Sequence, residues 1–216
     1  MNKKQKRYFK LIAKAIQEYG EENHVVAVPG FMSKQFSTYC SIREDLRLML
    51  EYIKILKTNP ANHYIKSSLT YALIALYGKC FTDSTKTKRP KLEPNQVFSK
   101  KKKNRKIHEY LISLRHDFIA HRGNTLGEIG IAFLAIPKGD NGQSQIRYRQ
   151  SKIISFNDKK LEKTESLVKF LIKEVESKIQ KCGQRAYNGF FNTFSEKEMA
   201  VMIMNNLKIP GAESNK

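Results

Sequence analysis

Five ionisable side chains cluster near the middle of the chain: Arg115, His116, Asp117, His121 and Arg122. At about 100° per residue, a helix places Arg115 and His121 about 120° apart, one on each shoulder of its apolar stripe. Asp117 precedes His121 by one helical turn, so its carboxylate is positioned to orient the imidazole. Because a helix C-terminus favours a protonated histidine, the pattern places a proton-transfer group at the end of a helix.

The same residues have a purely structural interpretation. Cationic side chains near a helix C-terminus stabilise the helix by about 0.3–1 kcal/mol each. Gly123 follows Arg122 directly, where a helix typically stops. Helix termination therefore explains the spacing as well as catalysis does.

The elements that must position these residues are mostly helices, since apolar side chains recur at helical spacing along most of the chain. The first two predicted helices cover about residues 4–19 and 33–57, the second with Ser33 as its cap, and Ser67 or Ser68 opens the third. The fourth covers about residues 104–122 and contains the ionisable cluster. A long helix then starts at Asn157 or Asp158, and a last helix follows a capping box at Ser195. The third helix is apolar on every side, which predicts a place at the centre of the core.

The period changes between the fourth helix and the long helix. Residues 129–137 and 145–156 are rich in Ile, Phe and Tyr and flank a glycine-containing turn, which predicts a β-hairpin with Arg147 and Arg149 on one face. The predicted fold class is therefore mostly α, a helical bundle of five to six helices in one domain over residues 1–216. Added to the bundle are an inserted hairpin at 129–156, a basic loop at 82–106 and a polar tail at 208–216.

The chain as a whole is strongly basic. Its 216 residues include 40 Lys and Arg against 20 Asp and Glu, for a formal net charge of +20. A field of this sign attracts polyanions, with nucleic acid as the first candidate and an anionic membrane surface as the second. A hydrophobic fraction of 40% argues against wholesale disorder.

Several classes of protein are excluded by what the sequence lacks. No run of about 18 uncharged apolar residues is present to cross a membrane, and no apolar segment follows the basic start as in a signal peptide. Three cysteines at unrelated spacings do not form a disulfide framework, so a reducing, cytoplasmic location is expected. Without a phosphate-binding glycine loop or a zinc-ligand motif, neither a metal nor another cofactor is expected.

The segment from Arg115 to His121, RHDFIAH, resembles the signature of the HEPN superfamily: an Arg, a polar residue, a few further residues and a His, late in a helical bundle. The ending Ile-Ala-His-Arg is similar to the abortive-infection and related bacterial branches. The supporting context covers about residues 33–194, whereas the hairpin and the basic loop are additions to the minimal helical pattern.

This resemblance implies a metal-independent endoribonuclease of the toxin or antiphage-defence kind, or a catalytically inactive relative that binds RNA or a partner protein. Arg115 would hold the scissile phosphate, and His121 would move the proton while the RNA 2′-hydroxyl attacks and leaves a 2′,3′-cyclic phosphate. His116 would contact the phosphate or the partner helix, and Asp117 would orient His121. An antitoxin or regulatory protein would restrain such an enzyme.

The resemblance also implies a homodimer in which the two motifs face each other. A single helix leaves Arg115 and His121 splayed, so we expect one active site to draw on both subunits.

The segment before the motif is the most basic part of the chain, with ten Lys or Arg in residues 86–106. Its end, together with the motif, supplies the predicted RNA-binding residues: Lys100, Lys101, Lys102, Lys103, Arg105, Lys106 and Arg122. Phosphate neutralisation supplies most sequence-independent affinity for nucleic acid. A solvated charge run is the alternative.

Structural roles are expected for the remaining candidates. His24, His63 and His108 are isolated in sequence, which predicts surface or satisfied core positions. The aromatic stripe of Tyr187, Phe190, Phe191 and Phe194 follows helical spacing, which indicates a core or dimer contact. A basic DNA-binding protein is a third functional class, although no helix-turn-helix pattern stands out.

Overall fold

The computed structural model describes residues 1–82, 89–116, 128–138, 143–152 and 155–207. Over these residues the chain forms seven helices and one antiparallel hairpin. The elements in chain order are α1 (Lys3–Tyr19), α2 (Gly30–Lys57), α3 (His63–Phe81), α4 (Pro94–Val97), α5 (Lys102–Ser113), β1 (Glu128–Ala135), β2 (Gln145–Lys152), α6 (Asp158–Thr193) and α7 (Glu196–Leu207). The predicted mostly α fold class with an inserted hairpin is confirmed.

The hairpin has the predicted strands. Cα partners run from Glu128 opposite Lys152 to Ala135 opposite Gln145. Arg147 and Arg149 lie two residues apart on β2 and therefore share a face, as predicted.

Two predicted helix starts are wrong. Helix α2 begins at Gly30, because the Ser33 hydroxyl donates to the carbonyls of Val28 and Pro29 instead of accepting from the amide of a later turn. Helix α3 begins at His63, where the Asn62 side chain accepts from two backbone amides and caps the helix. In both cases the helix starts upstream of the predicted serine.

Of the segment predicted as a basic loop at 82–106, residues 89–106 are more structured than their composition suggests. Leu92 and Phe98 are almost completely buried, and Val97 belongs to the short helix α4. The Leu92 amide donates to the Cys80 carbonyl at 2.9 Å, which fixes the segment to the end of α3. Three apolar residues among many lysines do not form a period, so the sequence pattern hid this contribution to the core.

Two helix starts at the ends of the chain follow the sequence rules. Helix α1 opens with a capping box between Asn2 and Gln5. At α7, the Glu198 carboxylate accepts from the Ser195 amide while the Ser195 hydroxyl caps Glu198, so the predicted capping box is confirmed.

The chain divides into two compact units. The first comprises Met1–Ser37 and Ile179–Lys216, and its core is formed by Ile12, Ala13 and Ile16 of α1 with Phe9, Val25 and Ala27 packed against them. The second comprises Thr38–Lys178 and contains the hairpin and the segment that leads to the motif. Helices α2 and α6 contribute residues to both units.

Helix α3 contributes to the core of the second unit, although Ala75 and Lys79 on another face are exposed. Its residues Leu73, Ile74, Tyr77 and Cys80 are completely buried. Helix α5 packs against it and carries the segment toward Arg115. In the described ranges, no helix is both long and apolar enough to cross a membrane.

Candidate functional site

The motif begins where α5 ends. Helix α5 covers Lys102–Ser113, and residues 114–116 continue it as a wider, π-type turn. Such turns are rare within helices and frequently occur at functional sites. Arg115 and His116 lie in this turn, whereas Asp117, His121 and Arg122 lie outside the described residues, so the predicted geometry between Arg115 and His121 stays a prediction.

Arg115 lies directly against a glycine of α3. A Cβ atom at Gly78 would be 2.5 Å from Arg115 Cγ, 3.1 Å from Cδ and 3.2 Å from Nε. Any side chain at position 78 would therefore collide with the stem of the arginine. Gly78 is buried inside a helix, where alanine would stabilise the helix by about 1 kcal/mol more than glycine does. The missing side chain at position 78 leaves room for the stem of Arg115.

The guanidinium of Arg115 also contacts the neighbouring histidine. Its Nη1 lies 3.2 Å from His116 Nδ1. Since a guanidinium has no acceptor, it donates and the imidazole nitrogen accepts. Packing on Gly78 and this hydrogen bond together define the position of the Arg115 side chain.

A cleft of about 300 Å³ opens beside Arg115 within the second unit. We call it the Arg115 cleft. Its lining comes from three places: the end of α3 with Gly78, Phe81 and Thr82; the start of α4 with Pro94; and α5 with its following turn, namely His108, Ile112, Arg115 and His116.

His108, which also lines the cleft, differs from the motif residue His116 because it is a buried core residue. It is 6% exposed, its Nδ1 lies 2.9 Å from the Tyr77 hydroxyl, and its ring packs against Phe81 and Phe98 at centroid distances of 4.4 and 4.8 Å. Burial among these rings lowers the pKa of His108 to about 4, because a charged imidazole is poorly solvated there. The predicted core position is confirmed for His108, and His24 and His63 are exposed.

The role of His108 as a lining residue of the cleft was missed from the sequence. An isolated histidine carries no spacing signal. The glycine inside the apolar α3 helix was the one available hint, since such a glycine commonly has a packing reason.

The predicted RNA-binding lysines form an exposed basic surface at the start of α5. Lys100, Lys101, Lys102, Lys103 and Lys106 are exposed, and no carboxylate of the described residues forms an ion pair with any of them. We call these five residues the lysine surface.

Two open grooves border the lysine surface. One of about 530 Å³ is lined by Lys100–Lys103 with Ser99, Asn104 and Phe170. The other, of about 610 Å³, brings Glu162, Lys163 and Ser166 of α6 beside Lys103 and Lys106. Lys163 thus lies beside the lysine surface, although its position in the sequence gives no sign of this.

Arg105 differs from its lysine neighbours. Its Nε lies 3.2 Å from Glu109 Oε1, and its Nη2 donates to Asn95 Oδ1 at 3.2 Å. The guanidinium is therefore already engaged within the protein. It is less available to a nucleic-acid phosphate than the lysines around it.

Within the described parts of the chain, no three His, Cys, Asp or Glu side chains cluster closely enough to hold a metal ion.

No family model matches the chain, and no curated protein sequence or solved structure shows significant similarity to it.

Proposed function

We propose that the chain is an endoribonuclease of the HEPN type that cleaves RNA by attack of the 2′-hydroxyl on the adjacent phosphate, a route that needs no metal ion. The observation that carries the proposal is the placement of Arg115: its stem is held against Gly78 and its guanidinium lies at a cleft, on the helix whose start carries the exposed lysine surface. The motif resemblance supplies the chemistry, and this placement supplies a location for the substrate.

Arg115 holds the scissile phosphate in this proposal. Phosphoryl transfer by the 2′-hydroxyl builds up negative charge on the non-bridging oxygens, and a positioned guanidinium donates hydrogen bonds to them. Packing against Gly78 restricts the Arg115 stem before RNA binds. Such preorganisation lowers the cost of positioning in the transition state.

His121 transfers the proton. Its reference pKa of about 6.5 allows both protonation states near neutral pH, as a general acid–base group requires. His108 is unsuited to this role, because burial lowers its pKa to about 4 and keeps the ring neutral at pH 7. Asp117 orients His121, and His116 supports the Arg115 guanidinium by the hydrogen bond at 3.2 Å.

The lysine surface binds the RNA backbone beyond the scissile phosphate. Its five ammonium groups have no acidic partner in the described residues, so phosphates do not have to displace existing ion pairs. Arg105 contributes less because Glu109 and Asn95 already engage it. Arg122 remains a predicted contact.

The active site is composite in this proposal, with the Arg115 of one subunit acting beside the His121 of the other in a homodimer. A cytoplasmic toxin or antiphage effector that cleaves RNA also needs restraint, so an antitoxin or regulatory protein is a further proposed partner. Expression of the wild-type chain in bacteria should arrest growth, whereas His121→Ala should not.

The direct test is incubation of total RNA with purified protein in excess chelator. We expect wild-type protein to cleave, and Arg115→Ala and His121→Ala to lose cleavage by roughly 10²–10³-fold, as for loss of a key transition-state donor. Arg47→Ala is the matched control, because Arg47 pairs with Glu44 and Glu176 and does not line the cleft. Equal cleavage by all four proteins, or none by the wild type, contradicts the proposal.

The leading competitor is an inactive HEPN-like module that binds RNA or a protein. It predicts RNA affinity that survives Arg115→Ala and His121→Ala equally, with no cleavage product from any variant. Competition with duplex DNA separates the third class, since a DNA-binding protein would prefer the duplex.

A further inference from the structure

The Arg115 cleft contains one buried donor group that the protein itself does not use. His108 is 6% exposed and its Nδ1 is engaged by Tyr77, while its Nε2 has no hydrogen-bond partner among the described residues. Yet no fully buried side-chain nitrogen or oxygen in those residues lacks a partner. The Nε2 atom is therefore partly accessible, and the open space that His108 lines is the Arg115 cleft.

The hydrogen bond with Tyr77 fixes which nitrogen of His108 carries the proton. Tyr77 is completely buried, and burial raises the pKa of its hydroxyl, so it stays protonated. Within the described part of the chain, the acceptor available to that proton is His108 Nδ1. Tyr77 therefore donates to Nδ1, and the proton of the neutral imidazole lies on Nε2.

The rest of the cleft is mostly apolar. Phe81, Pro94 and Ile112 contribute its apolar walls. The Thr82 hydroxyl donates to the Gly78 carbonyl at 2.8 Å, which leaves its oxygen free to act as an acceptor. At about 300 Å³ the cleft is at the lower end of the range for small-ligand pockets, roughly 300–1,000 Å³.

These features fit a nucleobase better than a second phosphate. With Arg115 engaged by the scissile phosphate, the neutral imidazole of His108 and the three apolar side chains offer no compensation for a second desolvated anion. A nucleobase has apolar faces, and its edge presents acceptors and donors together. Single-stranded RNA is commonly recognised in this way, by a splayed base that packs against side chains and is read at its edge.

We propose that the Arg115 cleft binds the base of the RNA nucleotide next to the phosphate held by Arg115. His108 Nε2–H donates to a carbonyl oxygen or ring nitrogen of the base, and Thr82 Oγ1 accepts from an N–H of the base. This inference rests on the proposed function and adds to it the site that selects where the RNA is cut. A cleft of this kind discriminates among bases because a mismatched edge leaves His108 Nε2–H unpaired.

The test compares trinucleotides that cannot be cleaved because they carry 2′-deoxyribose at the first and central positions, which removes the attacking hydroxyl at both linkages. Four of them differ in the central base, and a fifth is abasic there. We expect at least one base to bind about tenfold or more tightly than the abasic trinucleotide in fluorescence anisotropy at fixed salt, as one packed base provides. Equal affinity for all five overturns the proposal.

Three variants locate the effect. His108→Asn keeps an acceptor for the Tyr77 hydroxyl and removes the donor at Nε2, so the base preference should fall to the abasic level. His108→Gln retains a donor near the Nε2 position and should keep part of the preference. Thr82→Val alters an exposed residue at the end of α3 and should weaken the preference without unfolding the protein, which thermal melting verifies. A preference unchanged in both His108→Asn and Thr82→Val contradicts the assignment.

Free nucleoside monophosphates form a second arm. If the base belongs to RNA, the monophosphates should bind more weakly than the trinucleotides, because the neighbouring phosphates of the trinucleotides add contacts. Equal affinity would instead show a site for free nucleotides and overturn the RNA assignment. Base-dependent binding without cleavage refutes the proposed nuclease alone, whereas cleavage without any base dependence refutes this inference alone.

Discussion

Arg115 occupies the space that a side chain at Gly78 would need: a Cβ atom there would lie 2.5 Å from Arg115 Cγ. The close approach joins α3 to the turn that follows α5. It explains how an arginine two residues past the end of α5 is held at a cleft in the second unit. The position of the proposed phosphate-binding group therefore depends on the absence of a side chain on a different helix.

Gly78→Ala should lower RNA cleavage without lowering the stability of the helix. The alanine favours the helix by about 1 kcal/mol, while its methyl group displaces the Arg115 stem. RNA cleavage should fall by roughly 10- to 100-fold, as expected for displacement of a catalytic group by about 1 Å. Cleavage rates and thermal melting of the variant measure the two effects separately.

Gly189→Ala provides the control for this change. Gly189 lies within α6, and a Cβ atom there would meet nothing within 4 Å. It should gain similar helix stability with unchanged cleavage. If Gly78→Ala cleaves RNA as fast as Gly189→Ala does, the packing on Gly78 does not position Arg115.

Protein stability should fall on mild acidification because of His108. Burial lowers the folded-state pKa to about 4, whereas the unfolded value is about 6.5, so the unfolded chain binds the proton first. The contribution is fully present above pH 6.5, falls as the pH drops below that value, and levels off below about pH 4. Between pH 7 and pH 5 the loss should be about 1–2 kcal/mol in the free energy of unfolding.

Denaturant titrations at several pH values measure this loss. His108→Asn should flatten the pH dependence, and His24→Gln, at an exposed position, should preserve it. An identical pH slope in wild type and His108→Asn would mean that a different group is responsible.

Replacing the four lysines at 100–103 by glutamine should reduce the salt dependence of RNA binding. Each lost phosphate contact lowers the slope of log affinity against log salt by about 0.7 on single strands. The matched control replaces Lys3, Lys4, Lys6 and Lys10 of α1, which removes the same charge from the other unit. Equal effects of the two sets would show that net charge matters and the lysine surface does not.

A smaller change is expected at Arg105. Its guanidinium is already engaged by Glu109 and Asn95, so Arg105→Gln should lower the salt slope less than Lys103→Gln does. Anisotropy titrations of a fluorescent RNA at several salt concentrations provide both slopes.

Subunit mixing tests the composite site. Arg115→Ala and His121→Ala proteins are each expected to be inactive. In a 1:1 mixture about half of the dimers are mixed, and one of the two sites in each contains both wild-type residues, so about a quarter of the wild-type activity should return. A mixture that stays inactive after subunit exchange contradicts a site shared between subunits.

Much of the fold was predictable because its signals are local. The long apolar stripe of α6, the capping box at Ser195 and the Ile-, Phe- and Tyr-rich strands each depend on near neighbours in sequence. The starts of α2 and α3 were misplaced because a serine can bond to upstream carbonyls, and because Asn62 competed as a cap.

The candidate site was only partly predictable. Arg115 and His116 were selected from the motif, but Gly78, Phe81 and Thr82 lie more than thirty residues upstream, and only the packing of α3 against α5 brings them to the same cleft. The role of His108 depends on Tyr77, on another helix. Contacts of this kind leave no spacing pattern in one sequence.

Cleavage of a defined RNA at a mapped site tests the central claim most directly. In chelator, wild-type protein should yield a 5′ fragment ending in a 2′,3′-cyclic phosphate, and a single 2′-deoxy substitution at the nucleotide 5′ to the cut should abolish cleavage there, as should His121→Ala. A cut that persists at the 2′-deoxy position, or a product without the cyclic phosphate in the presence of wild-type protein, would contradict the account.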